Sequence, residues 1–395
     1  MIKSMLDSDL YKFTMQNAIL ELYPDAMAEY VFINRNKKYT FDEKFLKKLR
    51  KSVEEMTGLA LGMDEKNWMR DQCPYLKPSY LEYLANYRFN PDEIKMSIQS
   101  EQLTLSIFGP WRRTVLWEVP LMATISELYF EEICDEWSHV GQEVQAREKA
   151  KRLANAGCRF SDFGTRRRRS YETQFRVVDT FHGNPFFNGT SNPYLACKFG
   201  ITPIGTIAHE FIMAQAVLNG LRHANRFSMD DWAHVYKSSL GIMLSDTYGT
   251  NPFLEDFSLY HAKLWDGVRQ DSGNPFEFTD KMVYHYKSLK IDPMSKTIVF
   301  SDSLNVDKTI ELNNYCKGKI KCSFGIGTHF TNNYPDGKAL NMVIKLAAIN
   351  GVPVVKLSED PGKAIGDPDA VRVAKWTFFG EDLDPDNDMR DAGEN

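Results

Sequence analysis

His209 follows directly on the apolar stretch Ile201-Thr-Pro-Ile-Gly-Thr-Ile-Ala208 and opens Glu210–Leu218, a segment with the composition of a helix. A neutral imidazole at a strand end can attack a γ-phosphate if a carboxylate holds its second nitrogen. Glu210 is adjacent in sequence, but adjacency does not place it on the ring. Asp246 or another strand-end acid is an equal candidate. A zinc-protease reading fails, because His-Glu-x-x-His needs a histidine where Met213 stands.

Other chemistry-bearing residues gather in short motifs of the same form. Asp162-Phe-Gly-Thr-Arg-Arg-Arg-Arg169 ends an apolar run with a flat aromatic face, Phe163, and a run of arginines. Arginine binds phosphate or carboxylate through a planar two-pronged donor, so its first members, led by Arg166, point into a site. Arg168 and Arg169 read as solvated surface charges. In Gly267-Val-Arg-Gln-Asp-Ser-Gly273, Arg269 and Asp271 share one strand face, where they pair with each other or with a ligand. Ser301-Asp302 ends a further run. Phe324-Gly-Ile-Gly-Thr-His329 is no dinucleotide fingerprint, since the third glycine falls at Phe330. Late-strand glycine loops in β/α barrels hold phosphate, which assigns Gly325, Gly327 and Thr328 to one. By themselves Gly189-Thr190-Ser191-Asn192 reads as a turn or helix cap, and Asp7-Ser-Asp-Leu-Tyr-Lys-Phe-Thr14 as a helix start with an acidic cap.

Taken together, the segments at 162–167, 201–210, 267–273 and 324–329 resemble the nicotinate phosphoribosyltransferase family, in its bacterial branch, over nearly the whole chain. The resemblance implies transfer of phosphoribosyl from 5-phosphoribosyl 1-diphosphate to nicotinate. The products would be nicotinate mononucleotide and pyrophosphate, on the route to NAD. It further implies ATP as co-substrate, Mg²⁺, and His209 as a phosphohistidine. Phe163 would stack on the pyridine ring, with Arg166 near its carboxylate or the 5′-phosphate. Arg269 would meet phosphate or base, Asp271 and Ser272 the ribose side, and Ser301 and Asp302 the ribose or a Mg²⁺–pyrophosphate. The segment carrying Tyr11, and less firmly Asp9, would cross a homodimer interface to complete the partner's site. Thr190 and Ser191 fall in the base subsite. Nicotinamide-using relatives place an aspartate where Ser191 stands; it would accept from a carboxamide and repel a carboxylate, whereas a serine hydroxyl can donate. The alternative is a relative acting on nicotinamide. A quinolinate enzyme should lack the histidine, and a scaffold needs none of these strand-end residues.

The elements that must position these residues are legible in outline. Short apolar runs ending in polar residues recur at 158–162, 203–206, 241–246, 264–269, 297–302 and 321–327, with helical segments such as 211–220 and 276–290 between several. That alternation implies parallel β/α units, either a barrel or a doubly wound sheet. The resemblance implies an irregular β/α barrel of the type II phosphoribosyltransferase kind with an N-terminal α+β domain. Residues 1–140 form that domain and 141–354 the barrel, with 355–395 packing back on the first lobe and ending in a disordered tail. Within the first domain, Asp42–Met56 and 78–87 read as helices, Leu103–Phe108 as a strand, and 112–134 as a helix containing or preceded by a kink at Pro120.

Composition narrows the class. Forty-eight Lys and Arg against 53 Asp and Glu give a formal charge of −5, which offers nucleic acid no general binding surface. Six scattered cysteines without a Cys-x-x-Cys pair suit a reduced cytoplasmic enzyme. No apolar run approaches the ~18 residues of a membrane helix. There is no P-loop motif, so ATP would be held some other way.

Overall fold

The computed structural model of the chain describes residues 1–133, 139–334, 337–360 and 364–380. In chain order, nine of its strands are β1 (Met27–Asn34), β2 (Ile94–Gln99), β3 (Gln102–Pro110), β4 (Phe160–Asp162), β5 (Phe187–Thr190), β6 (Ile242–Leu244), β7 (Gly267–Gln270), β8 (Thr297–Phe300) and β9 (Lys321–Ile326). Two compact units divide them, each discontinuous in sequence. The first comprises Met1–Thr206, Ser303–Asn313 and Ser323–Lys345. The second comprises Ile207–Asp302, Asn314–Cys322 and the chain from Leu346.

In the first unit, β1 and β2 flank β3 in an antiparallel arrangement. Alternate residues of β3, Leu103, Leu105 and Ile107, are buried, as a sheet with one face on a core requires. The helix Glu43–Met56 starts where its sequence says it should. Asp42 accepts from the Phe45 N–H at 2.7 Å, and Phe45, Leu46, Leu49, Val53 and Met56 form its buried stripe. The helix expected over 112–134, containing or preceded by a kink at Pro120, is two helices, Trp111–Thr114 and Glu118–Ile133. Pro120 stands in the first turn of the second, where its missing N–H breaks no helical bond. Asp9 occupies the N-cap position of the helix Leu10–Leu22 without capping it, since its side chain is engaged elsewhere.

Also in this unit, β4 runs parallel to both β5 and β9. Two expectations change here. Gly189 and Thr190, read with Ser191 and Asn192 as a turn or helix cap, end β5, and Asn192 does cap the helix Pro193–Phe199 by accepting from Leu195 N at 3.1 Å. Conversely, 203–206 is not a strand: Pro203 makes one isolated bridge to Thr190, and proline has no N–H to extend a ladder.

The arginine run also departs from expectation. Arg168 and Arg169 are fully buried rather than solvated. Arg168 grips Asp7 through two bonds, 2.6 and 2.9 Å, and donates to Gln174 at 3.1 Å. Arg169 donates to Asn332 and to Gly337 O, with its guanidinium 3.8 Å from the centre of the Phe130 ring. A 3₁₀ turn at Thr165–Arg167 ends in an extended Arg168, which turns the chain inward.

In the second unit, β6, β7 and β8 are parallel, and helices follow their ends. Asn274 caps the helix Pro275–Ser288, with Pro275 in the first turn. The helix His209–Leu218 begins at the histidine itself. β9 starts in this unit, where Lys321 N donates to Lys296 O, and ends in the first. The helix Pro368–Phe379 belongs to the second unit, and the expected tail after it lies outside the described residues. Among the described residues no helix is long and apolar enough to cross a membrane.

Candidate active site

His209 lies in a chain of polar contacts within the second unit. Its Nε2 is 2.9 Å from Asp246 Oδ1, just past the end of β6. The other oxygen of Asp246 accepts from Ser272 Oγ at 2.6 Å and from Lys356 Nζ at 3.1 Å. This decides between the candidate acids: Asp246 holds the ring. Burial pushes the His209 pKa down, the Lys356 charge adds to this, and Asp246 and Asp271 oppose it; the net shift is downward. Burial works to raise Asp246, but His209 and Lys356 outweigh it, and it stays ionised well below the usual carboxylate range. An ionised acceptor and a neutral ring leave one tautomer: Nε2–H donates to Asp246, and Nδ1 carries the free lone pair.

Nδ1 faces Asp271, 3.8 Å from its Oδ2. Asp271 is in turn fixed by Arg269 (Nη2 to Oδ1, 3.2 Å) and by Ser301 (Oγ to Oδ1, 2.5 Å), while Arg269 Nε donates to Ser301 at 2.7 Å. Burial raises Asp271, but Arg269 and His209 bring it down to about 2. Asp302 follows Ser301 at the end of β8 and is half-buried.

Within the first unit, Asp162 closes β4 and accepts from three donors: Gly164 N at 2.9 Å, Thr190 Oγ1 at 2.7 Å and Gln174 Nε2 at 2.8 Å. Thr190 is fully buried with its hydroxyl on that acid. Next to it, Phe163 is half-buried, and its N–H donates to Ile326 O of β9. Arg166, about a third exposed, meets Glu118 at 3.2 Å and Asp9 at 3.9 Å. Glu118 is shared with the buried Lys12 at 2.6 Å. Burial raises Glu118, but Lys12 and then Arg166 take it down to about 2. Ser191 Oγ donates to Asp9 at 2.6 Å, so its proton is already committed. Tyr11 is half-buried beside Lys12, whose Nζ is 5.5 Å from its ring centre. Gly327 and Thr328 begin a short helical turn after β9, and Gly325 is buried within β9.

Residues 158–381 match the nicotinate phosphoribosyltransferase (NAPRTase) family, and residues 6–126 match its N-terminal domain. The chain belongs to the nicotinate phosphoribosyltransferase family. It is 50% identical to the nicotinate phosphoribosyltransferase of Methanococcoides burtonii, with 97% of this chain and 99% of that one covered. To that of Chromohalobacter salexigens it is 41% identical over 95% and 98% of the two chains. The crystal structure of nicotinate phosphoribosyltransferase from Porphyromonas gingivalis matches with a TM-score of 0.93 at 40% identity, covering 96% of this chain and all of that one. The corresponding Vibrio cholerae structure gives 0.91 at 34% identity, over 99% and 96%. The fold class expected from the sequence is thus the one found, a mixed α/β protein with an N-terminal antiparallel sheet and parallel β/α units.

For a nicotinate phosphoribosyltransferase family member, several buried side chains behind these sites carry no sequence signature. Lys356 is one lysine in the apolar run Val354–Leu357, Lys12 and Glu118 lie in unrelated helices, and Asp162 looks like any strand-end acid. A lone charge inside an apolar run was the only available signal, and it points to Lys356 alone.

Asp162 offers a test of this framework. Burial lifts its pKa to about 6 despite the three donors. Its folded pKa lies above the unfolded value of 3.8, so the native state binds the extra proton and this group's contribution to stability falls as pH rises from 4 to 6. Relative to Asp162→Asn, the wild type should lose up to about 3 kcal/mol across that window and stay level above it. Urea unfolding of both proteins at several pH values measures this. A difference that does not change with pH would show that Asp162 titrates normally.

Proposed function

We propose that the chain transfers phosphoribosyl from 5-phosphoribosyl 1-diphosphate to nicotinate, with ATP phosphorylating His209 during the cycle. The family membership over nearly the whole chain supports the transfer. The observation that carries the coupling is the His209–Asp246 bond, 2.9 Å, which directs the free lone pair to Nδ1. Nδ1 of the neutral ring attacks the γ-phosphorus of ATP, the bond to the bridging oxygen breaks, and ADP leaves. Water later cleaves the phosphohistidine to orthophosphate. In the transfer itself the pyridine nitrogen bonds to C1′ as the C1′–O bond to pyrophosphate breaks. This oxocarbenium-like step needs positioning and anion stabilisation more than a nucleophile.

Phe163 stacks on the pyridine in this reading, and Arg166 meets its carboxylate. Ser191 acts through Asp9 rather than on the ligand. Mg²⁺ enters with the diphosphate substrate, held mostly by substrate oxygens and water; among the described residues no group of three or more His, Cys, Asp or Glu could hold a metal. Gly327 and Thr328 accept the 5′-phosphate. Tyr11 completes the site of a second copy, making a homodimer. No disulfide joins the described cysteines Cys73, Cys158, Cys197, Cys316 and Cys322, which suits the cytoplasm.

The test is pyrophosphate release from the donor with nicotinate or with nicotinamide, each with and without ATP, alongside sedimentation velocity for the dimer. The expected result is release with nicotinate, stimulated by ATP. Release with nicotinamide alone would replace the substrate, and no release with either would end the reading.

A further inference from the structure

Gly325 lies inside β9 opposite Ser161 of β4, and it is buried. A glycine within a strand weakens it, and marks a bulge, a bend or the close approach of another group. Gly325 is absent from the residues with left-handed φ, so its backbone makes no demand for glycine. Space does. A Cβ built on Gly325 would fall among Cε2, Cδ2 and Cζ of Phe163, far inside carbon–carbon contact. The Phe163 backbone cannot retreat freely, because its N–H is bonded to Ile326 O at 2.9 Å. The ring is therefore folded back onto the bare Cα of Gly325, and Phe163 as a whole remains half-buried. Gly327 differs: a Cβ there would meet the Phe163 carbonyl, its oxygen at 3.2 Å and its carbon at 3.8 Å, and not the ring.

The room that Gly325 opens is thus filled by the protein's own aromatic ring. We propose that Gly325 is a positioning residue of the base subsite, the seat that sets the depth and plane of the Phe163 ring, and that it does not serve the 5′-phosphate. The inference rests on the reading that Phe163 stacks on nicotinate. It divides the two glycines at the end of β9 between two substrates, Gly325 for the base and Gly327 for the phosphoribosyl donor.

A double-mutant cycle tests it, with wild type, Gly325→Ala, Phe163→Ala and the double variant, each assayed for the KM of nicotinate and of the donor separately. Gly325→Ala should raise the nicotinate KM by about tenfold, the scale of one lost aromatic stack, and leave the donor KM within about twofold. The double variant should be no worse than Phe163→Ala alone, because the added methyl then has no ring to meet. If Gly325→Ala does not fold, the double variant should. A rise in donor KM alone, additive effects, or failure of both variants to fold would overturn the proposal. A Phe163→Ala protein with an unchanged nicotinate KM would instead remove the stacking reading beneath it.

Discussion

Asp246→Asn is expected to slow phosphorylation of the protein by ATP by about 10²–10⁴-fold while leaving His209 in place. Asparagine is nearly isosteric, but its two ends differ. Ser272 and Lys356 both donate to one oxygen of Asp246, at 2.6 and 3.1 Å. They will draw the amide carbonyl to their side, which leaves the NH₂ facing His209. Nε2 must then accept rather than donate, and the ring proton moves to Nδ1, the atom that attacks in the proposed coupling step. Reversing a catalytic histidine's tautomer through a carboxylate-to-amide change has a cost of about 10⁴ in a serine protease triad, which sets the scale. The measurement is the rate of acid-labile phosphate uptake from γ-labelled ATP, with His209→Asn as the blank. Uptake by Asp246→Asn at the wild-type rate would mean that Nε2 is not the protonated nitrogen.

That argument also shows where sequence reading stops. His209 was legible mainly through the family resemblance, since a histidine between an apolar run and a helix reads equally as a core or capping residue. Its partner was legible only as one of several candidate acids, since 37 residues separate it from Asp246 and only the fold chooses among them. Arg269, Asp271 and Ser301 were legible as polar residues ending strands, and the pairing of the first two followed from strand periodicity. The arginine run misled in part. Four consecutive charges look solvated, yet the fate of Arg168 depends on Asp7, 161 residues away. Ser191 was read as a donor to the ligand, but Asp9 stands within 2.6 Å and takes its proton. Gly325 was assigned to phosphate from its place in a glycine loop, and a sequence does not show that the Phe163 ring lies against its Cα. In each case the residue type was informative and the identity of its neighbour was not.

Arg168→Met is expected to destabilise the protein by about 3–5 kcal/mol, the usual consequence of leaving one partner of a buried ion pair alone. Both side chains are fully buried. Without Arg168, Asp7 retains, among the described residues, Asn192 Nδ2 at 2.8 Å and Lys3 N at 3.1 Å. The damage also spreads. Arg168 donates to Gln174 Oε1, which fixes the amide so that its NH₂ faces Asp162. Methionine cannot donate, so the amide is free to turn its oxygen toward Asp162 and the strand end that carries Phe163 loses a bond. The pH dependence gives the sign. In the wild type burial works to raise the Asp7 pKa, but Arg168 outweighs it and the net shift is downward. Asp7 therefore contributes stability above the unfolded value of 3.8, and that contribution is lost as pH falls. In Arg168→Met burial acts unopposed by a cation, the pKa rises, and the variant should recover stability relative to wild type as pH falls toward 4. Asp7→Asn combined with Arg168→Met should be more stable than Arg168→Met alone at pH 7, since it removes the orphaned charge. Urea unfolding of the three proteins at pH 7 and pH 4.5 measures all of this. A double variant no more stable than the single one would mean that Arg168 stabilises by packing on Tyr171, 5.3 Å from its ring centre, and not through Asp7.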